Sequence, residues 1–342
     1  MFRDDRSRKR VSQLLIIAVM ACMIALTLTG CITTSDGTRV NIFILLIVRP
    51  FAWILRKIYD LIGSYGWSII IFQLLTKALM LPLSIKGKRG MMDTMRIQPK
   101  MQELEKRYKN DQKKYQEELA KLYKEEGVSP TAGCLPTLIT FPIMIGLYWP
   151  ISQPLTYLMN LTADHIAQIK EILQLTSTSG VISEMTIAQA MYENFDKISH
   201  VSSNIIKMDF TFLGMNLGMV PNWKVIDLLF LIPIISGLTA FGLSKLTNWL
   251  QYKSTGTMPQ GQNGTMMYMM PLISVWFGFT LPAGLGLYWI TSNITAAAQE
   301  YFLYVYFEKQ KLKEPKESAL TKLPKEENKS NVQKSRSGRK NH

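Results

Sequence analysis

The chain has 342 residues, 47% of them hydrophobic and 19% charged, with 39 Lys and Arg against 25 Asp and Glu for a formal net charge of +14. Three Cys exclude a disulfide scaffold. With no zinc-ligand spacing, nucleotide-binding glycine pattern or paired catalytic motif, no metal or cofactor is expected and ordinary soluble catalysis is set aside. Mean hydropathy is only +0.07, because charged stretches dilute apolar blocks of about 16 to 25 residues, the lengths of helices that cross a bilayer.

In chain order, residues 1–10 carry five basic and two acidic side chains, and an uncharged apolar run, Val11 to Leu28, follows. This is a signal-type beginning rather than a folded element. It ends in Leu28-Thr29-Gly30-Cys31, small residues before a Cys, which resembles the bacterial lipobox. On that reading residues 1–30 are a lipoprotein signal peptide, Cys22 is removed, and Cys31 is acylated (palmitate or similar) and tethers the N-terminus to the outer leaflet. Cys134 is then the one free thiol. The alternative is an uncleaved anchor helix that happens to carry a Cys.

Segment 31–64 contains IFILLIVRPFAWILRKIYDLI over 42–62, apolar but interrupted by Arg49-Pro50 and followed by Arg56-Lys57. It reads as an amphipathic helix lying on the outer face. Five later segments have the length and apolarity of spans: 65–83, 134–157, 226–250, 266–281 and 283–307. Between them, segment 84–130 has twelve Lys and Arg against eight acidic residues, the tail 308–342 eleven against five, and segment 158–223 three against six. The positive-inside rule therefore puts 84–130, the short segment 251–265 and the tail in the cytoplasm, and 158–223 outside. An odd number of spans with an external N-terminus agrees with the lipobox.

Lys77 falls inside the first span, with Gln73 four residues away on the same helix face and Thr76 adjacent. An intramembrane lysine usually faces water, a partner or a pathway, although its stem can also snorkel toward the headgroups. No carboxylate in the other spans looks well placed to neutralise it, so a water-filled recess is expected. In segment 84–130, Met101, Leu104 and Tyr108 repeat at helical spacing, Asn110-Asp111 offers a turn, and Tyr115, Leu119 and Leu122 repeat again. The pattern predicts a helical hairpin with a thin apolar seam, too long for a mere connector and suited to a contact surface. The tail has disorder-type composition, and its cations suit anionic lipid or ribosomal RNA phosphates, or serve only as a positive-inside anchor.

The stretches GWSIIIFQLLTKALMLPLS, LYKEEGVSPTAGCLPTLITFPIMIGLYW, LIPIISGLTAF and MMPLISVWFGFTLPAGLGLYWITSN together resemble the YidC membrane insertases of the Oxa/YidC/Alb superfamily. The resemblance covers about residues 58–307, and the lipobox and five spans are similar to the Gram-positive form. It implies an all-α polytopic membrane protein: five transmembrane helices around a positively charged hydrophilic groove open to the cytoplasm, plus a cytoplasmic helical hairpin. It also implies a non-enzymatic role in inserting and folding nascent membrane proteins, alone or with the Sec translocon, in the bacterial plasma membrane. The family's groove arginine falls at Lys77, which keeps the charge but lacks the bidentate fork. Thr140 stands where the family commonly has Gln. Lys77 would attract acidic client segments, with Gln73, Thr76, Thr140 and Asn293 as hydrogen-bonding groups. Hairpin 84–130 and the tail would meet a targeting factor, the ribosome or the translocon. A small transporter or channel using Lys77 as an ion site is the rival reading.

Overall fold

The computed structural model describes residues 31–33, 39–128, 135–175, 183–255 and 264–313. The signal-type segment 1–30, Cys134, most of the 251–265 connection and the tail beyond 313 lie outside these residues, as do the side chains of Cys31 and Thr140. The described elements are mostly helical.

Strand β1 (Cys31–Thr33) pairs antiparallel with β2 (Arg39–Asn41), and a π-helical turn over Ile44–Val48 leads into α1 (Arg49–Ile62). The chain stays helical through Arg49-Pro50: Val48 and Arg49 both have right-handed helical dihedrals, and the proline, which has no N–H to donate, sits where the π-helical turn passes into α1. Gly63 closes the helix in the left-handed region at φ 71°, and its N–H caps Tyr59. One face of α1 buries Ala52, Leu55, Ile58 and Tyr59, while Trp53 and Leu61 stay exposed.

Helix α2 runs from Tyr65 to Arg96, 32 residues without a break at Pro82. At ~1.5 Å per residue it is roughly 48 Å long, more than the ~30 Å hydrocarbon core. The first third of segment 84–130 is thus a continuation of α2, and the hairpin itself is α3 (Gln98–Arg107) and α4 (Gln112–Glu125). Asp111 makes the turn between them by accepting the N–H of Lys114, an N-cap bond of 3.0 Å. Ile97, Leu122 and Val128 form the seam, with Met101, Leu104 and Tyr123 against it. Lys114 lies over the Tyr108 ring, so that residue faces a cation rather than the seam.

Helix α5 (Leu135–Ser152) packs on α1, α2 and the last helix, and is followed by the short α6 (Pro154–Tyr157). The described residues of segment 158–223 are folded. They hold α7 (Ala163–Ile172), α8 (Glu184–Glu193), α9 (Phe195–Ile198) and a hairpin of β3 (Thr211–Phe212) and β4 (Met215–Asn216). Ile169, Ile187, Met191, Ile198 and Leu217 from this segment are buried in the same cluster as Ile69 and Phe72 of α2. Polar ties fix it. The Thr156 N–H and hydroxyl donate to Glu184, Arg56 donates to the Leu158 carbonyl, and the Asp209 N–H donates to the Tyr59 hydroxyl.

The C-terminal part is α10 (Leu231–Thr255), α11 (Gly264–Gly278) and α12 (Ala283–Lys313), with α10 packed on both others and α12 also on α2. Small residues set the approach of these helices. A Cβ on Gly286 of α12 would meet Ile232 at 2.4 Å, and one on Gly278 of α11 would meet Pro233 Cα at 2.8 Å. Close approach through small residues is how helices pack where lipid removes the hydrophobic drive between them. The first amides of α12 are also satisfied from outside the helix: Ala283 and Gly284 donate to the carbonyls of Met219 and Leu217, both at 2.8 Å. This pins segment 158–223 to the start of α12.

Candidate functional site

Gln73, Thr76, Lys77, Met80, Ser84, Gly87, Lys88 and Met91 recur at three- and four-residue steps and so share one face of α2. Opposite them, Tyr288, Ser292, Ala296, Gln299, Glu300 and Leu303 share one face of α12, and Ile143 of α5 closes a third side. Together these residues enclose an open recess of about 970 Å³, counting its open side. From Gln73 to Met91 it follows α2 for roughly 27 Å. Because the two lining stripes come from helices more than two hundred residues apart in sequence, only the packing of α2 on α12 creates the site.

The deep end is polar without being fully satisfied. Gln73 is only 1% exposed, and its Oε1 has no hydrogen-bond partner among the described residues. Such an acceptor costs about 1–3 kcal/mol when left unmade, and a rotation of the Gln73 amide toward the recess that it lines would present it to a molecule that enters. Lys77, one turn further, is partly buried and has no hydrogen-bonding or contact ion-pair partner among the described residues. Thr76 lines the recess too, but its hydroxyl donates to the Phe72 carbonyl at 2.8 Å, leaving only acceptor capacity.

Two expectations from the sequence change. Asn293 does not reach the recess. It is buried against α10, where its Nδ2 donates to the Ser236 carbonyl at 3.4 Å and the Thr239 hydroxyl at 3.2 Å, so it holds two helices together. The face of α12 that turns to α2 carries Ser292, Ala296 and Glu300 instead. The expectation that no carboxylate lies near Lys77 also fails. Glu300 stands in the same recess, forms a contact ion pair with Lys88, and acts through space on the Lys77 ammonium. Nothing in the local sequence gives its partner, since Lys88 and Glu300 are 212 residues apart. Extending the helix face from Lys77 by seven and eleven residues, to Ser84 and Lys88, is the one signal that could have found the lower end.

The outer faces of the helices that wall or support the recess carry large exposed apolar residues. Leu74, Leu75 and Leu79 line α2; Leu238 and Trp249, α10; Leu272 and Trp276, α11; Ile294 and Phe302, α12. Stripes of this size rarely face water. Among the described residues, α2 alone meets the length and apolarity of a membrane span by itself. The polar stripe that α12 turns to the recess lowers its own average.

Fold and site define a class: helical proteins that hold a charged recess between helices with apolar outer faces. The chain belongs to the 60Kd inner membrane protein family, whose model matches residues 57–311. It is 28% identical over 272 residues to the membrane protein insertase YidC of Pseudomonas entomophila strain L48, covering 79% of this chain and 37% of that relative. The corresponding protein of Pseudomonas putida strain F1 is equally similar, at 28% over 79% of this chain and 38% of its own length. The chain thus spans little over a third of the length of these curated relatives. A solved structure described as an active YidC insertase with its first transmembrane domain resolved aligns with a TM-score of 0.43 and 21% identity, over 73% of this chain and 44% of that one.

Proposed function

We propose that this chain is a membrane protein insertase, a non-enzymatic chaperone that moves polar segments of nascent membrane proteins part-way across the bilayer and releases their apolar helices sideways into lipid. The observation that carries the reading is the recess, where Lys77 and Gln73, neither ammonium nor carbonyl hydrogen-bonded among the described residues, lie between helices whose other faces are apolar. Each unsatisfied polar group of a client in hydrocarbon costs several kcal/mol, and a polar recess shortens the dry distance. Lys77 attracts acidic residues of the client, and Gln73 accepts a client N–H. Transfer of the client's apolar helix to lipid is then favourable without covalent chemistry or a nucleotide.

In this reading segments 65–83, 134–157, 226–250, 266–281 and 283–307 cross the membrane of a bacterial cell, and the folded segment 158–223 closes the outer side. The hairpin and the basic tail face the cytoplasm, where they meet the ribosome, a targeting factor or the Sec translocon. Cys31 carries the lipid anchor. The reading also assigns Thr140, three residues before Ile143 in sequence, to the groove.

The test is insertion of a single-span client with an acidic external tail into liposomes containing the purified chain alone. Protease protection of that tail should appear with wild type, fall at least several-fold with Lys77→Ala and persist with Lys77→Arg. Equal protection with Lys77→Ala removes Lys77 from the mechanism. A transporter reading keeps one observation in its favour, because the recess also holds Lys88 and Glu300, the further charges an ion path requires. Flux of small anions or protons through the same liposomes would support that reading and count against insertion.

A further inference from the structure

We propose that Glu300 is a specificity-determining residue: it occupies Lys88 as an internal stand-in for a client carboxylate and so sets how strongly the recess selects acidic segments. The inference rests on the insertase reading and names the counter-charge of that site. Lys88 and Glu300 pair across the α2–α12 contact, with side chains only 11% and 26% exposed. Lys88 is eleven residues, three turns, from Lys77 on the same face of α2, at the other end of the same recess. Among the described residues the charged groups lining the recess are Lys77, Lys88 and Glu300, two positive and one negative, for a net +1.

The physical consequence is an exchange. A partly desolvated ammonium with a carboxylate already against it does not attract a second one strongly, but it can trade one for another without being desolvated anew. An acidic client segment that reaches Lys77 therefore competes with Glu300 for Lys88, and Glu300 weakens the pull of both lysines while it remains in place. A neutral segment has nothing to offer Lys88 and leaves the pair intact. Glu300 thus acts as a threshold that separates acidic from neutral clients. Removing its carboxylate raises the recess from +1 to +2 and frees Lys88.

The measurement is binding of a soluble peptide bearing four Asp residues, and of its Asn counterpart, to the purified full chain in detergent. Glu300→Gln should bind the Asp peptide about tenfold more tightly than wild type, the scale of one close charge pair, with a steeper loss in salt. Binding of the Asn peptide should not change. Lys88→Ala releases Glu300 toward Lys77 and should bind the Asp peptide more weakly than wild type. Unchanged Asp-peptide affinity in either variant overturns the proposal. If Glu300→Gln does not fold, Lys88→Ala and the charge swap Lys88→Glu/Glu300→Lys carry the test. The swap keeps the pair and the net charge and should bind like wild type; tight binding by the swap, as predicted for Glu300→Gln, also overturns it. A binding difference that persists while liposome insertion fails removes the insertase reading and still supports this role for Glu300.

Discussion

Lys77 is a cation within the long apolar run of α2, in a recess that it shares with Glu300. The position inside an apolar run was enough to mark it, because a charge there requires water or a partner. Gln73 followed from helical spacing. Asn293 and Glu300 did not, because which face of α12 meets α2 depends on how α10 packs between α11 and α12. A second residue makes the same point about polar groups without partners. Tyr65 is fully buried, its ring lies edge-on to Phe210 at 4.9 Å, and its hydroxyl has no hydrogen bond among the described residues. Tyr65→Phe should therefore keep the ring contact and leave stability unchanged or raise it by about 1 kcal/mol, read as the melting temperature of the full chain in detergent. Tyr65→Ala should cost about 3–5 kcal/mol. A clear drop in melting temperature for the phenylalanine variant would show that the hydroxyl does have a role.

Helix existence was largely readable from apolar blocks, but helix ends and pairings were not. Arg49-Pro50 read as an interruption, yet the chain stays helical across it, and α2 continues beyond the span expected over 65–83 as far as Arg96. The hairpin turn at Asn110-Asp111 was readable because an Asx N-cap is a local signal. The tie that orients the hairpin was not. Lys100 bonds Glu126 at 2.5 Å, with Arg96 nearby at 3.7 Å, and this holds the Glu126 carboxyl below the usual carboxylate range. A depressed folded value means the stabilisation is fully present above the ordinary carboxylate range of about 4 and is lost as pH falls through the folded value. Amide protection of the Ile97 and Leu122 region should therefore be lower in Glu126→Gln than in wild type at neutral pH. The difference should vanish in acid; a difference that persists there would refute the assignment. Helix spacing gives a further test. Gly278→Ala drives a Cβ to 2.8 Å from Pro233 Cα, backbone that cannot swing aside, and should destabilise by about 1–3 kcal/mol. Gly242→Ala on α10, with nothing within 4 Å, should be tolerated or stabilising by about 0.5–1 kcal/mol. Equal melting temperatures for the two variants would rule out the close α10–α11 approach.

Across the whole molecule, the sequence by itself determined the helical class, the apolar segments, the charge asymmetry between them and the cation at 77. These are encoded locally, in composition and in the 3.6-residue period, and need no knowledge of neighbours. Tertiary structure alone decided the rest. Segment 158–223, an acidic loop by composition, became part of the main core because its scattered Ile, Met and Leu residues meet Ile69 and Phe72, a match that no single segment contains. The recess exists only where α2 packs on α12, and its charge is set by an ion pair between residues 212 positions apart. A pairing over that distance carries no periodic or turn signal, so the residues that tune the site become visible only once the helices are packed.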